Sequence, residues 1–220
     1  MELERRLVFT LLGLPITTTV VATWGMVVVL SLCGILAGRR IRETPSRWQA
    51  TIEWGVDAVR EMLEDVADGS GERYLPLVMT IAIFVLVANL MSVIPFVEAP
   101  TADLNTPVAL ATIVFASVHY FGIRDLGLKG YLKKFAQPAL ILLPINILGL
   151  FTRTLSLAIR LFGNMLSHQI IVAILLVILP LVVPVVLEIF GLFIGILQAY
   201  IFTVLTIVYI GGAVRAGGEL

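Results

Sequence analysis

Residues 156–165 read SLAIRLFGNM and place Arg160 in the longest apolar run of the chain. Between residues 139 and 210 the only charged residues are Arg153, Arg160 and Glu188. A guanidinium does not lose its charge in proteins, and an arginine at membrane depth costs at least about 2.5 kcal/mol. Because no acidic residue lies within two helical turns of Arg160 in the sequence, we expect its partner on another helix or on another protein.

The composition is typical of a membrane protein. Of the 220 residues 59% are hydrophobic and 14% are charged, whereas a soluble domain carries about 25% charged residues. We therefore predict an all-α polytopic membrane protein that forms a single membrane domain over residues 1–220, and we expect no nucleic-acid partner. The single cysteine, Cys33, cannot form an intrachain disulfide. Met1–Arg6 is a poor start for a signal peptide, so we expect the N-terminus to be retained.

Polar and charged segments divide the first part of the sequence into three spans. About 20 apolar residues suffice to cross the hydrocarbon core, and the pattern predicts span 1 over about 7–37, with a short entry segment that ends near Pro15. Spans 2 and 3 are predicted over 74–96 and 106–122, and we expect all three to be roughly upright. Between the first two, residues 43–71 form an amphipathic cytoplasmic segment, which lies along the membrane surface, packs against a partner or is a solvated helix.

The last apolar region is too long for one span, and Pro180 and Pro184 provide its natural break. We predict a hairpin of two helices over 138–178 and 184–212, each roughly 50 Å long at 1.5 Å per residue. The hydrocarbon core is only about 30 Å thick, so both helices must tilt strongly. A curved partner surface inside the membrane would explain such a tilt.

The distribution of basic residues predicts the orientation. Lys and Arg cluster around residues 39–73 and 124–134, whereas the loop 98–105 contains neither. Because cytoplasmic loops carry the excess of Lys and Arg, we expect the N-terminus to be external and the C-terminus to be cytoplasmic.

Polar residues form a stripe on each helix of the predicted hairpin. At 100° per residue, one arc of about 140° on the first helix contains Arg153, Ser156, Arg160, Gly163, Asn164, Ser167 and His168. The second helix presents one face with Glu188, Gly191, Gly195, Gln198, Phe202, Thr206 and Tyr209. Hydrogen bonding between helices explains Ser156, Ser167 and Thr206 equally well, but intramembrane ionisable residues mark ion pathways.

Other chemistry has little support in the sequence. It contains no H-E-x-x-H, no G-x-S-x-G and no phosphate-binding glycine loop. His119 and His168 are isolated, and a lone membrane histidine is more often a packing or hydrogen-bonding residue than a ligand. We therefore expect no metal site and no cofactor.

The stretch at 156–165 closely resembles the signature of subunit a of the F-type ATP synthase, the ion-conducting stator of its membrane sector. The resemblance spans about residues 15–210. Four further stretches agree in order: Thr51–Glu53, Asn89–Met91 with Ile94 and Pro95, Pro100–Asn105, and Gln198–Tyr209.

The resemblance implies a function and partners. The tilted hairpin would wrap a ring of c subunits, each with a membrane carboxylate, and two offset half-channels would carry H⁺ or Na⁺ to and from them. Arg160 would be the fixed cation that couples ion translocation to rotation. Further residues of the pathway would be Asn164 and Gln198 beside the arginine, and Asp103, Asn105 and Asn89 along the outer half-channel. The resemblance also implies peripheral-stalk b subunits and membrane lipid as partners, the bacterial inner membrane as location, and no enzymatic activity outside the complex.

Two positions depart from the family pattern. Many bacterial relatives have a glutamate nine residues after the arginine and a histidine seven before the glutamine, where this chain has Gln169 and Gly191. However, His168 lies one residue before Gln169, and Glu188 lies one helical turn before Gly191. The imidazole and the carboxylate are therefore exchanged between the two helices relative to the family pattern. We predict that they replace the usual relay pair; alternatively, Glu188 marks the outer membrane surface.

Two other classes of function compete with this interpretation. An unrelated secondary transporter or ion channel would work without a ring, although its typical internal repeats are not evident here. A non-conducting assembly protein would tolerate the loss of Arg160. The sequence leaves open the choice between H⁺ and Na⁺, the ring stoichiometry, the direction of operation and the lining of the half-channels.

Overall fold

The computed structural model describes residues 7–11, 14–39, 47–67, 71–93, 99–135, 140–178 and 183–214. The α-helices within these ranges are α1 (Thr18–Arg39), α2 (Arg47–Ala67), α3 (Leu75–Leu90), α4 (Asn105–Phe135), α5 (Leu143–Ile178) and α6 (Val183–Val214). Of these, α1, α4, α5 and α6 are long and apolar enough to cross a membrane, and α3 is a shorter apolar helix. The predicted class, an all-α polytopic membrane protein, is confirmed.

A short strand pair precedes α1, in the part of span 1 where the sequence suggests an entry segment. Strands β1 (Leu7–Leu11) and β2 (Leu14–Thr17) are antiparallel, with Leu7 opposite Thr17. The helix begins at Thr18, not near residue 7. Pro15 explains this start, since proline lacks the N–H that a helix interior requires.

The core of the bundle lies where α3, α4, α5 and α6 meet. Its fully buried side chains include Val78, Val85, Val114, Leu161 and Phe202. In contrast, Met26 is the only buried side chain among the residues of α1. The outer faces of α1 and α5 expose many large apolar side chains, which suits contact with lipid or with a membrane partner.

Helix α4 breaks at Gly127, which has φ +70° and ψ 160°. Such a backbone conformation is open essentially to glycine alone. The cross-segment, residues 128–135, follows this break and packs against the bundle. There the Tyr131 ring covers Gly122, where a Cβ atom would lie only 2.5 Å from a ring carbon.

The cross-segment joins the end of α6 to the start of α5. The Lys134 ammonium group donates a hydrogen bond to the Gly212 carbonyl of α6. The Asn146 amide of α5 donates to the Phe135 carbonyl at 2.9 Å. The cluster of basic residues around 124–134 is therefore helical and belongs to the packed structure.

The second half of α2 is also part of the bundle. Leu63 is fully buried, and Val66 packs so closely on α6 that a Cβ atom at Gly211 would lie 2.1 Å from its side chain. The first half exposes two aromatic side chains, Trp48 and Trp54. The predicted amphipathic segment is therefore a helix that is anchored at one end.

Candidate ion-translocation site

Arg160 lies on the outer face of α5. Its neighbour Ile159 is 54% exposed, while Leu157 and Leu161 point into the core and are buried. No acidic group in the described ranges lies within ion-pair distance of the guanidinium. Its charge is therefore not neutralised by the described part of this chain, and it faces a surface that a neighbouring molecule can cover.

Asn164 and Gln198 meet one turn further along α5. The Asn164 amide donates to Gln198 Oε1 at 2.8 Å. Gln198 is buried, and its amide nitrogen has no hydrogen-bond partner among the described residues. The two residues that the resemblance places beside Arg160 thus form one polar contact between α5 and α6. The amide nitrogen of Gln198 remains available as a hydrogen-bond donor.

His168 and Glu188 form a second contact between the same helices. His168 Nε2 lies 3.4 Å from Glu188 Oε2, which is longer than a typical hydrogen bond of about 2.9 Å. The structure thus brings together the two residues that the sequence analysis pairs. Glu188 is bonded to this imidazole and not to Arg160.

Gly191 creates the space that the imidazole occupies. A Cβ atom at this position would lie 2.3 Å from His168 Cε1 and 2.5 Å from Nε2, far inside van der Waals contact. The imidazole from α5 therefore packs directly against the backbone of α6 at Gly191. This is the position at which many relatives carry a histidine on α6 itself. Gln169, the other departing position, is only half-buried.

Asn89 joins α3 to the same face of α6. Its amide nitrogen donates to the Gly195 carbonyl at 3.0 Å, and a Cβ atom at Gly195 would lie 3.2 Å from Asn89 Cβ. Asn89 is buried, and its amide oxygen has no partner among the described residues. Buried polar groups normally find a partner or an ordered water, so this oxygen is a natural place for water.

Asp103 and Asn105 lie at the entrance of α4. Asp103 accepts hydrogen bonds from the Thr19 hydroxyl at 3.0 Å and from the Asn105 N–H at 3.1 Å. Asn105 is exposed at the start of the helix. Asp103 therefore connects the first turn of α1 to Asn105 at the start of α4.

Two threonines in this region are not singled out by the sequence. Thr19 holds Asp103, and Thr101 is buried with an unpartnered hydroxyl among the described residues. The position of Thr19 gives no signal in the sequence, because a threonine in an apolar helix usually bonds to the carbonyl four residues earlier. Thr23 does so in this chain, at 2.7 Å from the Thr19 carbonyl.

The polar contacts follow one face of α6. The positions 188, 191, 195 and 198 are spaced by three or four residues, so they lie above one another along about 15 Å of helix. His168, Asn89 and Asn164 reach this face from two other helices. Fold and site together define a polytopic helical membrane protein with a line of polar groups inside its apolar bundle.

Comparison with known proteins identifies the family. Residues 20–211 match the family model described as ATP synthase A chain. The chain is 47% identical over 212 residues to ATP synthase subunit a 2 of Bradyrhizobium sp. strain BTAi1, covering 96% of this chain and 95% of the relative. It is 44% identical to ATP synthase subunit a 2 of Pelobacter propionicus, covering 92% and 89% of the two chains. It is 47% identical to ATP synthase subunit a 1 of Chlorobaculum parvum, covering 92% and 90%. The chain belongs to the ATP synthase subunit a family.

Proposed function

We propose that this chain is the ion-conducting stator subunit of the membrane sector of a rotary F-type ATP synthase. The observation that carries the proposal is Arg160, a permanent charge on the outer face of α5 without an acidic partner in the described structure. Membership of the subunit a family supports it. The missing acid is then the membrane carboxylate of a c subunit, and the partners of the chain are the c-ring, the peripheral-stalk b subunits and lipid.

Arg160 acts as a fixed cation that each ring carboxylate meets in turn. Two unit charges 4 Å apart attract by about 4 kcal/mol at an effective dielectric constant of 20. The carboxylate therefore releases its H⁺ or Na⁺ into one half-channel when it reaches the guanidinium, and it takes up another ion from the second half-channel after it has passed. Because the guanidinium cannot be deprotonated, it also blocks direct passage of ions between the half-channels.

The remaining polar residues line the pathway. Asp103, Asn105 and Asn89 belong to the outer half-channel, and the amide oxygen of Asn89, which has no partner among the described residues, is free to accept a hydrogen bond from water there. His168 and Glu188 relay the ion, since their side chains face each other across α5 and α6. Asn164 and Gln198 keep the two helices in register beside Arg160.

The two long helices suit a curved partner. Helix α5 has 36 residues and is about 54 Å long, compared with about 30 Å of hydrocarbon. In the complex, α5 and α6 lie strongly tilted against the c-ring, with the N-terminus of the chain external and the C-terminus cytoplasmic. The chain catalyses no reaction by itself; it translocates ions for the complex.

Replacement of Arg160 by alanine tests this function. In inverted membrane vesicles that contain the whole complex, we expect Arg160→Ala to reduce ATP synthesis driven by an ion gradient at least a hundredfold, because the ring carboxylate loses its counter-charge. Arg124→Ala is the control, since Arg124 is exposed at the end of the apolar part of α4. Copurification of the c-ring shows that the variant complex is assembled.

Two results would contradict the proposal. An assembled Arg160→Ala complex with normal ATP synthesis would show that the arginine does not couple ion flow to rotation. Solute transport by the chain alone, reconstituted in vesicles without a ring, would favour a secondary transporter.

A further inference from the structure

The loop before α4 holds the backbone of Asp103 in place. Pro100 and Thr101, which precede it in the chain, are buried in the bundle. On the other side, the Thr106 N–H donates to the Asp103 carbonyl at 3.2 Å. Because the backbone is fixed on both sides, the direction of the Asp103 carboxylate depends on the partners of the side chain.

Each carboxylate oxygen of Asp103 accepts a hydrogen bond from a different helix. Oδ2 accepts from the Thr19 hydroxyl of α1 at 3.0 Å, and Oδ1 accepts from the Asn105 N–H of α4 at 3.1 Å. An ionised carboxylate has about four acceptor positions, so about two remain for water or for an ion. Asp103 is only half-buried. The carboxylate is therefore oriented from two sides and still has acceptor positions available.

Hydrogen bonds carry much of the stabilisation of this negative charge. Among the described residues, no lysine or arginine forms an ion pair with Asp103. The charge lies at the N-terminus of α4, where a helix favours negative charge, and hydrogen bonds to ionised groups are stronger than those between neutral groups. The bond from Asn105 comes from the backbone, whereas a substitution of Thr19 removes the other bond.

Thr17 fixes the direction of the Thr19 hydroxyl. The two hydroxyl oxygens lie 2.7 Å apart. A hydroxyl has one hydrogen to donate, and Thr19 donates its hydrogen to the Asp103 carboxylate. The Thr17 hydroxyl therefore donates to the Thr19 oxygen, and Thr17 is itself buried at the end of β2. Hydrogen bonds thus run in one direction from Thr17 through Thr19 to Asp103.

Thr19 uses its hydroxyl differently from threonines inside the helices. Thr23 and Thr112 each donate to the carbonyl four residues earlier, at 2.7 Å, as is usual for helical threonines. The residue four positions before Thr19 is Pro15, which belongs to β2 and not to the helix. The position of Thr19 at the start of α1 therefore leaves its hydroxyl available for Asp103, 84 positions along the chain.

We propose that Thr19 is a positioning residue for the Asp103 carboxylate and that Thr17 supports it. The inference rests on the proposed function, in which Asp103 lies in the outer half-channel. Without the Thr19 hydroxyl, the carboxylate loses one of its two fixed directions, and its remaining acceptor positions turn away from the ion path. The first turn of α1 thus takes part in ion uptake, although it does not touch the ion.

Two substitutions of Thr19 test this role in inverted vesicles that contain the whole complex. Thr19→Val keeps the shape of the side chain but removes the donor, so ATP synthesis driven by an ion gradient should fall about tenfold. Thr19→Ser keeps the donor and should stay within about twofold of the unchanged complex. A role in packing alone predicts the opposite order, because valine resembles threonine in shape more closely than serine does.

Two other threonines provide a graded comparison. Thr17→Val removes the support of Thr19 but not the bond to Asp103, so synthesis should fall only about threefold. Thr23→Val is the matched control, since this hydroxyl lies one turn further along α1 and donates to a carbonyl of its own helix. We expect it to synthesise ATP at the normal rate. Copurification of the c-ring shows that each variant complex is assembled.

A double-mutant cycle separates the action on Asp103 from general damage to α1. Asp103→Asn removes the charge and should reduce ATP synthesis, while asparagine remains a good residue for the start of a helix. In the Asp103→Asn background, Thr19→Val should cause little further loss, because the two residues act as one unit.

Four outcomes would overturn the proposal. A normal rate in assembled Thr19→Val, with a reduced rate in Asp103→Asn, would refute the positioning role and leave the proposed function intact. A larger loss in Thr19→Ser than in Thr19→Val would show a role in packing. Independent losses in the double variant would show that Thr19 acts elsewhere. A normal rate in Asp103→Asn would remove Asp103 from the ion pathway and this inference with it. If Thr19→Val does not assemble, a normal rate in Thr17→Val overturns the proposal.

Discussion

Arg160 differs from the other charged residues of the hairpin in its surroundings. Arg153 stands over an aromatic ring, and Glu188 contacts His168, whereas the structure provides no described acid for Arg160. An attraction of about 4 kcal/mol to a carboxylate 4 Å away at an effective dielectric constant of 20 would offset an insertion cost of at least about 2.5 kcal/mol. An external carboxylate would therefore offset at least part of the cost of placing this arginine in the membrane.

At the scale of single residues, Glu188→Gln tests the proposed ion relay through His168 and Glu188. The substitution keeps the shape of the side chain but removes the group that binds and releases the ion, so ATP-driven ion pumping should fall about tenfold or more. The measurement uses inverted vesicles with the assembled complex. Glu72→Gln is the control, because Glu72 is exposed in the turn before α3. Normal pumping by Glu188→Gln would show that the carboxylate only marks the membrane surface.

At the scale of secondary-structure elements, α6 organises the site through small residues. The absence of a side chain at Gly191 leaves space for the imidazole from α5, and its absence at Gly195 leaves space for Asn89 from α3. Small residues allow such close approach between membrane helices. One face of α6 therefore carries both the polar groups and the spaces into which polar groups of other helices fit.

Gly191→Ala tests this role of α6. The added methyl group would overlap the His168 ring, and overpacking of this kind costs about 1–3 kcal/mol. The imidazole must leave its present position beside Glu188, so we expect severalfold slower pumping in a complex that still retains its c-ring. Gly34→Ala, where a Cβ atom meets nothing within 4 Å, should pump normally. Unchanged pumping in Gly191→Ala would mean that the position of His168 is not critical.

At the scale of the whole molecule, the described chain buries its core, but much of the apolar surface of α5 and α6 is exposed. The outer side of α5 exposes large apolar residues above and below Arg160, among them Phe151, Leu155 and Ile170. Lipid alone can cover the apolar residues but not the guanidinium. The proposed ring covers both, since it offers an apolar surface with one carboxylate for each subunit.

The helical class and the stripe on α5 could be predicted because both depend on local sequence. Hydropathy identifies the apolar segments, and the 3.6-residue period places Arg160 and Asn164 on one face. The pairing of His168 with Glu188 could be proposed from the family pattern. The chain lacks the usual glutamate at Gln169 and the usual histidine at Gly191, but it has a histidine and a glutamate close to these two positions in the sequence.

Contacts between distant segments could not be predicted in this way. The bond between Asn89 and Gly195 joins residues 106 positions apart, and the Thr19–Asp103 bond joins residues 84 positions apart. The break at Gly127 depends on packing of the cross-segment, because an isolated glycine inside a helix has no unique local meaning.

The most direct measurement is the distance between the Arg160 guanidinium and the nearest ring carboxylate in a structure of the assembled complex. We predict that Arg160 faces the c-ring and that one carboxylate lies within about 4 Å of the guanidinium, or is separated from it by a single water. A guanidinium paired with Glu188 of its own chain, or turned away from the ring, would contradict the proposed coupling.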